Sequence, residues 1–310
     1  MKIYLYGMIC ASNSFKTAAF PSPDEYTEIE QSARFIGGET GTCATVLSSL
    51  GQTVRIDGTH IGRSMAALTR EFYKGKSVDL SSLTFDEDFE GLEDYIIIHG
   101  DTRTPLGRFG HFFGNFYSGG AKHWNEPKEN DALWCDAAAI DDCFGEDSKR
   151  CAEACIKHGK PYVTIDCKYD SFIHKHAAVT VVSGEALKMH YGDAARSEML
   201  PLYCENTDGL TIITNGSGKF FYGRRGKPVK AFTPFKVSAE STLGAGDTFK
   251  AGCTYALAHG MGDDELVSFA SACAAVAVSR YPSQLRPPKL SEVEAMLRNK
   301  SSAECVSSSI

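Results

Sequence analysis

No stretch of the 310 residues approaches the roughly twenty uninterrupted apolar positions that a membrane helix requires. The opening run, MKIYLYGMIC, is far shorter than that and reads as a first core strand rather than a signal peptide. Charge of one sign is never gathered into a block. Lys and Arg total 32 against 39 Asp and Glu, a net charge of −7, so the basic face of a general nucleic-acid binder is missing. The 11 cysteines include no Cys-x-x-Cys pair for zinc or redox work. Cys151 and Cys155 stand i, i+4 on an expected helix and read as packing, and free thiols fit a soluble protein of the reducing cytoplasm. The first strand runs into Gly7-Met8-Ile9-Cys10, without the Gly-x-Gly-x-x-Gly turn of a dinucleotide-dependent oxidoreductase.

What is present is 43% hydrophobic residues, arranged so that strand-length apolar runs alternate with segments of helical period. That rhythm predicts an α/β fold with a doubly wound, mostly parallel sheet covered by helices on both faces. Strands are expected near 2–9, 53–57, 94–99, 161–166, 178–182 and 210–214, and helices near 39–50, 64–73, 146–158, 185–191, 245–259, 263–280 and 290–299. One domain spans 1–300. Residues 12–36 and 100–130, rich in turn formers, aromatics and charge, interrupt the rhythm and read as long loops forming a flap. The tail from 301 to 310, SAECVSSSI after its first serine, reads as disordered.

Two segments carry chemistry. In 241–260, STLGAGDTFKAGCTYALAHG, a Gly-Ala-Gly turn opens an apolar helix. Amides of Gly244, Ala245 and Gly246 at the positive end of the helix dipole suit a phosphoryl group, and small residues let the backbone approach it. Asp247 closes the turn. A carboxylate beside an anion site repels the anion unless it has a task, and taking a proton from an attacking hydroxyl is such a task. The plain alternative is an ordinary acidic first turn. In 37–51, GGETGTCATVLSSLG, a glycine pair enters a helix of small residues that ends at Gly51. The later GSGK at 216–219 imitates a phosphate loop, but Phe follows Lys219 and a strand rather than a helix is expected, so that reading is set aside.

Together these segments resemble the two signature motifs of the ribokinase or phosphofructokinase-B family of carbohydrate kinases. Thr242, Gly244, Ala245, Gly246, Asp247 and Phe249 match the second motif, and Gly37, Gly38, Ala44, Leu50 and Gly51 the first, whose wording is closest to ketohexokinase-like members. The resemblance implies a ribokinase-like body with a small β lid over 12–36 and 97–118. It implies ATP and Mg²⁺ as co-substrates, Asp247 as general base, and homodimers joined through the lid. Thr214, Gly216 and Gly218 would contact the nucleotide with Thr242, Gly244 and Gly246, and Ser271 and Ala275 would lie on the helix beside the adenine. Ser12, Gly38, Glu39, Thr42 and Arg103 would face the acceptor with Asp247, and Glu185 would reach the metal through water.

Several positions depart from that pattern. Ser12 stands where the family has an acceptor-binding Asp, Thr42 where it has Asn, Val182 where a metal-site Asn is usual, and Ser241 where an Asp helps hold a monovalent cation. Reduced dependence on such a cation and an unusual acceptor follow. The acceptor is expected to be a sugar or sugar-like molecule; the alternatives are a nucleoside kinase of the same fold and a non-catalytic sugar or nucleotide sensor. Arg103 and Arg108 could clamp an anion or simply be solvated. His99, His111 and His123 lack metal spacing and read as lid packing.

Overall fold

The computed structural model describes residues 1–100 and 102–307, with side chains described through residue 299. In chain order the strands are β1 (Lys2–Gly7), β2 (Cys10–Thr17), β3 (Ile29–Gly37), β4 (Thr53–Gly58), β5 (Ile61–Gly62), β6 (Val78–Asp79), β7 (Phe85–Asp86), β8 (Glu93–His99), β9 (Thr102–Gly107), β10 (Ala137–Asp141), β11 (Tyr162–Ile165), β12 (Val179–Val182), β13 (Leu210–Ile213), β14 (Phe220–Gly223) and β15 (Lys230–Phe232). The helices are α1 (Gly38–Ser49), α2 (Ala66–Tyr73), α3 (Phe109–Tyr117), α4 (Glu129–Trp134), α5 (Glu146–Lys157), α6 (Phe172–His176), α7 (Gly184–Tyr191), α8 (Arg196–Glu205), α9 (Ala245–Ala258), α10 (Asp263–Val278) and α11 (Leu290–Ser307).

Nine strands form one sheet in the order β15-β14-β13-β12-β11-β10-β1-β4-β6, parallel except where β14 pairs with β13 and β15. Successive side chains of a strand point to opposite faces, so each face buries its own set. Ile3 and Leu5 of β1 enter a core with α1, α9 and α10, while Tyr4 and Tyr6 enter another with α5 and the Phe112–Trp124–Phe144 aromatic group. This is the expected doubly wound arrangement. Among the described residues no helix is long and apolar enough to cross a membrane.

The interrupted segments are more ordered than loops. Residues 12–36 lie largely in β2 and β3, and with β8 and β9 they make a second, four-stranded sheet, β3-β2-β8-β9. The strand expected at 94–99 therefore belongs to this sheet and not to the main one. Residues 109–117 form α3. β10 was not expected at all: Ala137-Ala138-Ala139 has little intrinsic strand preference, and burial between β1 and β11 imposes the conformation. Helix α11 runs through Ser307. Residues 308–310 lie outside the described residues.

The chain leaves β1 for neighbours on both sides, β4 and β10, so β1 marks the topological switch point, and the crevice past its C-terminal end is where such sheets bind ligands. Glycine lines this edge because side chains do not fit. A Cβ on Gly7 would stand 1.9 Å from Asp141 Oδ2, and one on Gly58, whose φ is +127°, would stand 2.1 Å from the Gly7 carbonyl oxygen. Gly58→Ala is therefore expected to cost about 1–3 kcal/mol or more through combined strain and clash. Chemical denaturation would show a lower midpoint with an unchanged slope, and a midpoint equal to that of the native protein would contradict this.

Candidate active site at the sheet switch point

Helix α9 begins at the crevice. Its cap, Gly244, is left-handed (φ 73°, ψ 14°), and a Cβ there would lie 2.5 Å from Gln284 Nε2 and 3.3 Å from Thr42 Cγ2. Glycine is thus demanded by both conformation and space. The turn is braced from within: Ser241 Oγ accepts from the Leu243 N–H (3.2 Å), and the Ala245 N–H donates to the Thr242 carbonyl (3.2 Å). The expectation that the Gly244, Ala245 and Gly246 amides all face an anion is amended accordingly, since Ala245 N–H closes the turn. Gly246 is exposed at the helix start.

Asp247 follows, in the first turn. Burial raises its pKa to about 7; the Lys250 ammonium opposes that rise, Asp141 adds to it, Arg103 opposes it and Asp166 adds again. Lys250, one turn further on, is fully buried and forms an ion pair with Asp141 Oδ1 at the end of β10. Burial works against its charge, yet Asp141, Cys43 and Glu39 outweigh it and hold Lys250 above the ordinary lysine value. Asp141 Oδ2 accepts from the Met8 N–H (3.0 Å) and the Thr40 hydroxyl (2.9 Å). One carboxylate thus ties β1, β10, α1 and α9 together. Glu39, at the start of α1, has its pKa raised well above normal by burial, by Asp141 and by Asp247, with Lys250 opposing.

The second sheet contributes the far wall. Ser12 is buried on β2, with its hydroxyl 3.7 Å from Cys10 Sγ, and β8 places Asp94 in register with it. Asp94 Oδ2 accepts from the Cys10 thiol (3.7 Å), whereas Oδ1 is buried with no hydrogen-bond partner. Burial raises the Asp94 pKa. Gly38, at φ +76°, lets α1 start against the Met8 carbonyl, from which a Cβ would be 2.5 Å away. Thr42 is buried on α1 and packs under Gly244, so it is a floor to the phosphate turn rather than an open acceptor contact.

At the other end, the β13–β14 turn holds Thr214, whose N–H and hydroxyl both donate to the Val182 carbonyl (2.9 and 3.3 Å), then Gly216 at φ +55° and Gly218, whose N–H reaches the Asn215 carbonyl (2.9 Å). Ser271 and Ala275 of α10 are only 4% and 6% exposed and belong to its packed wall. Arg103 of β9 reaches across to Glu185 of α7, 3.3 Å from both carboxylate oxygens, so two residues expected to serve acceptor and metal meet each other. Arg108 is exposed at the start of α3.

Asp141, Lys250, Asp94 and Asp166 were not foreseen. Asp166, at φ +57°, accepts from the Ser183 N–H (2.6 Å) and hydroxyl (3.1 Å) at the cap of α7. The one usable signal was Lys250 itself, a charge in the middle of an otherwise apolar helix. Glu39, Asp166, Asp247 and Glu185 provide only oxygen donors, the chemistry magnesium prefers, yet among the described residues these carboxylates do not converge into a cage. They fit an ion that keeps waters and binds chiefly to phosphate oxygens.

Known proteins match this arrangement. The model of the pfkB family carbohydrate kinases covers residues 2–290. A 5-dehydro-2-deoxygluconokinase of Halalkalibacterium halodurans is 32% identical over 89 residues, which span 28% of this chain and 27% of that protein. Among solved structures, an Agrobacterium tumefaciens protein classed with the ribokinases superposes with a TM-score of 0.84 at 19% identity, covering 97% of this chain and 98% of its own. An Arabidopsis thaliana ribokinase complexed with ribose and ATP gives 0.76 at 16% identity, with 95% and 98% covered. The family match over nearly the whole chain, with the Gly244–Asp247 turn at the sheet switch point, leads to one conclusion: the chain belongs to the pfkB family of carbohydrate kinases.

Proposed function

We propose that the protein transfers the γ-phosphoryl group of ATP to a hydroxyl of a modified sugar. The observation that carries this is Asp247, a carboxylate with its pKa raised to about 7, standing in the first turn of α9 directly after the Gly244 cap. In this reading Asp247 takes the proton of the acceptor hydroxyl as it attacks, and the exposed backbone at Gly246 meets the transferring group with the helix dipole behind it. The β13–β14 turn and α10 wall the nucleotide end. Magnesium, held by water from Glu185, Asp166 or Asp247, would neutralise phosphate charge. The second sheet would close as a lid, excluding water that would otherwise hydrolyse ATP. Its outer face carries exposed Tyr95 and Leu106, cross-strand neighbours, and Ile29, which supports pairing of two copies through the lid. Free thiols at all ten described cysteines support a cytoplasmic setting.

Asp247→Asn keeps the shape and removes the base. Turnover is expected to fall about 10²- to 10⁴-fold with nucleotide affinity nearly unchanged. Because the base must be ionised, kcat/KM for the native enzyme should rise with pH and level off above about 7. Retention of most of the turnover, or a profile flat from pH 5 to pH 9, would remove Asp247 from this role.

The acceptor reading rests on Asp94. Asp94, in register with Ser12 on the neighbouring strand, would offer a sugar hydroxyl the carboxylate that Ser12 lacks. The name of the H. halodurans relative, a kinase of an oxidised deoxy sugar acid, supports a modified sugar, and Arg103 could meet its acid group. ADP release measured across ribose, fructose, sugar acids, amino sugars and nucleosides should favour a modified sugar over ribose and fructose. With the best acceptor, Asp94→Ala should raise its KM about ten- to a hundredfold, the equivalent of roughly 1.5–3 kcal/mol for a charged hydrogen bond, without changing the KM for ATP. A best rate with ribose or fructose, or an Asp94 variant with unaltered acceptor KM, would refute the assignment.

Ser241 is buried and neutral, and its hydroxyl is engaged with the Leu243 N–H. It attracts a monovalent cation less than a carboxylate would. Replacing a bulky organic cation by potassium at fixed ionic strength should therefore change the rate little, and a large activation would contradict this reading.

A further inference from the structure

His60, Asp86 and His123 come from three separate segments: the residue before β5, the end of β7, and the loop ahead of α4. Sequence spacing hides them, since 26 residues separate the first two and 37 the last two. In the fold both imidazoles turn Nδ1 toward one oxygen, Asp86 Oδ2, at 3.0 Å for His60 and 3.2 Å for His123, and the three donor atoms lie within 4.8 Å of one another. Each side chain retains less than a fifth of its exposure, so the group is shielded but still reachable from solvent.

The carboxylate and rings are held from outside the group. Asp86 Oδ1 accepts from the N–H of Asp88 (3.0 Å) and of Phe89 (3.2 Å), fixing the carboxylate plane. The Phe89 ring stacks on His123, with centroids 4.1 Å apart and planes 11° from parallel. The His60 N–H donates to the His123 carbonyl (2.9 Å). Outer contacts of this kind orient ligands before an ion arrives.

We propose that His60, Asp86 and His123 form a binding site for a divalent transition-metal ion of the zinc type, separate from the phosphoryl-transfer crevice. A four-coordinate ion about 2.0–2.1 Å from each donor holds neighbouring donors about 3.3 Å apart, close to the two separations seen. Two imidazoles and one carboxylate favour zinc or cobalt over magnesium, which prefers oxygen donors alone. Ligation uses the Nδ1 lone pairs, so a ring that donates Nδ1–H to Asp86 without metal shifts to the Nε2–H tautomer on binding, with no proton released. Three protein ligands leave a fourth position for water. No ligand is shared with Asp247, Lys250, Asp141, Glu39 or Asp166. Thr59, the neighbour of His60, accepts the Ile9 N–H through its hydroxyl (3.1 Å) and donates its own N–H to the Gly7 carbonyl (3.3 Å). An ion at His60 therefore braces the turn from β1 into β2 on the acceptor side of the crevice.

The test uses the full chain without any histidine tag. Cobalt(II) titration should show about one equivalent bound per chain, with visible d–d bands of four-coordinate nitrogen and oxygen ligation, displaced by zinc. Zinc should also raise the melting temperature. His123→Ala and Asp86→Asn should each abolish the cobalt spectrum and the zinc-dependent shift. If either variant fails to fold, the native protein still decides the matter: zinc should perturb the ring resonances of two of the nine histidines. No cobalt uptake, uptake unchanged in the folded variants, or resonance changes spread over other histidines would overturn the proposal. None of these readouts depends on kinase activity, so the outcome is independent of the function proposed above.

Discussion

The buried pair of Lys250 and Asp141 is the contact around which the crevice is organised. Removing two charges from water is costly, and the cost is met only when their geometry is good and the remaining lone pairs are satisfied. Here Asp141 has Lys250 on one oxygen and the Met8 N–H and Thr40 hydroxyl on the other. The pair therefore fixes the end of β10 against the turn after β1, the first turn of α1 and the second turn of α9. Gly7 is part of the same constraint, because any side chain there would occupy the space of the Asp141 carboxylate. A network of this kind adds little net stability compared with a well-packed apolar alternative, but it strongly penalises arrangements in which one partner is missing.

That penalty has a chemical consequence. Lys250 is three residues from Asp247, and its charge partly offsets the burial that lifts the Asp247 pKa. Without that cation, burial together with Asp141 and Asp166 would keep the carboxylate protonated to a still higher pH. With Lys250 fixed by Asp141, the Asp247 pKa stays at about 7, the value that the base role proposed for it would call for. Structural pinning and adjustment of the Asp247 carboxylate thus come from one side chain.

The body of the fold was legible because its strands and helices announce themselves by period and by the glycines that end them. β4, β11, β12 and β13 and six of the helices lie within a few residues of where apolar spacing puts them, and a seventh, α11, begins where expected. β10 was invisible because three alanines carry no strand preference, and its identity depends on the neighbours that bury it. β3 and β9 were hidden by exposure, with turn formers and charges along them blurring the alternation, whereas β2 is buried but built largely of small polar residues. The Gly244–Asp247 turn was legible because local geometry demands its residues. Asp141, Asp94 and the His60–Asp86–His123 group were not, since each acquires its meaning from a partner 26 to 133 residues away.

Asp94 shows how such distance changes the reading of a missing motif residue. Judged along the chain, Ser12 looks like the loss of an acceptor-binding carboxylate, and loss of function is a natural inference. In the sheet, Ser12 and Asp94 are lateral neighbours, and a carboxylate displaced by one strand still points into the same wall. The serine is shorter than an aspartate, so an acceptor bound at this wall, as proposed above, would meet the charge one strand further over. If the function proposed above holds, that exchange would favour a bulkier or more highly substituted sugar, while the α9 end of the crevice at the switch point is unaffected by it.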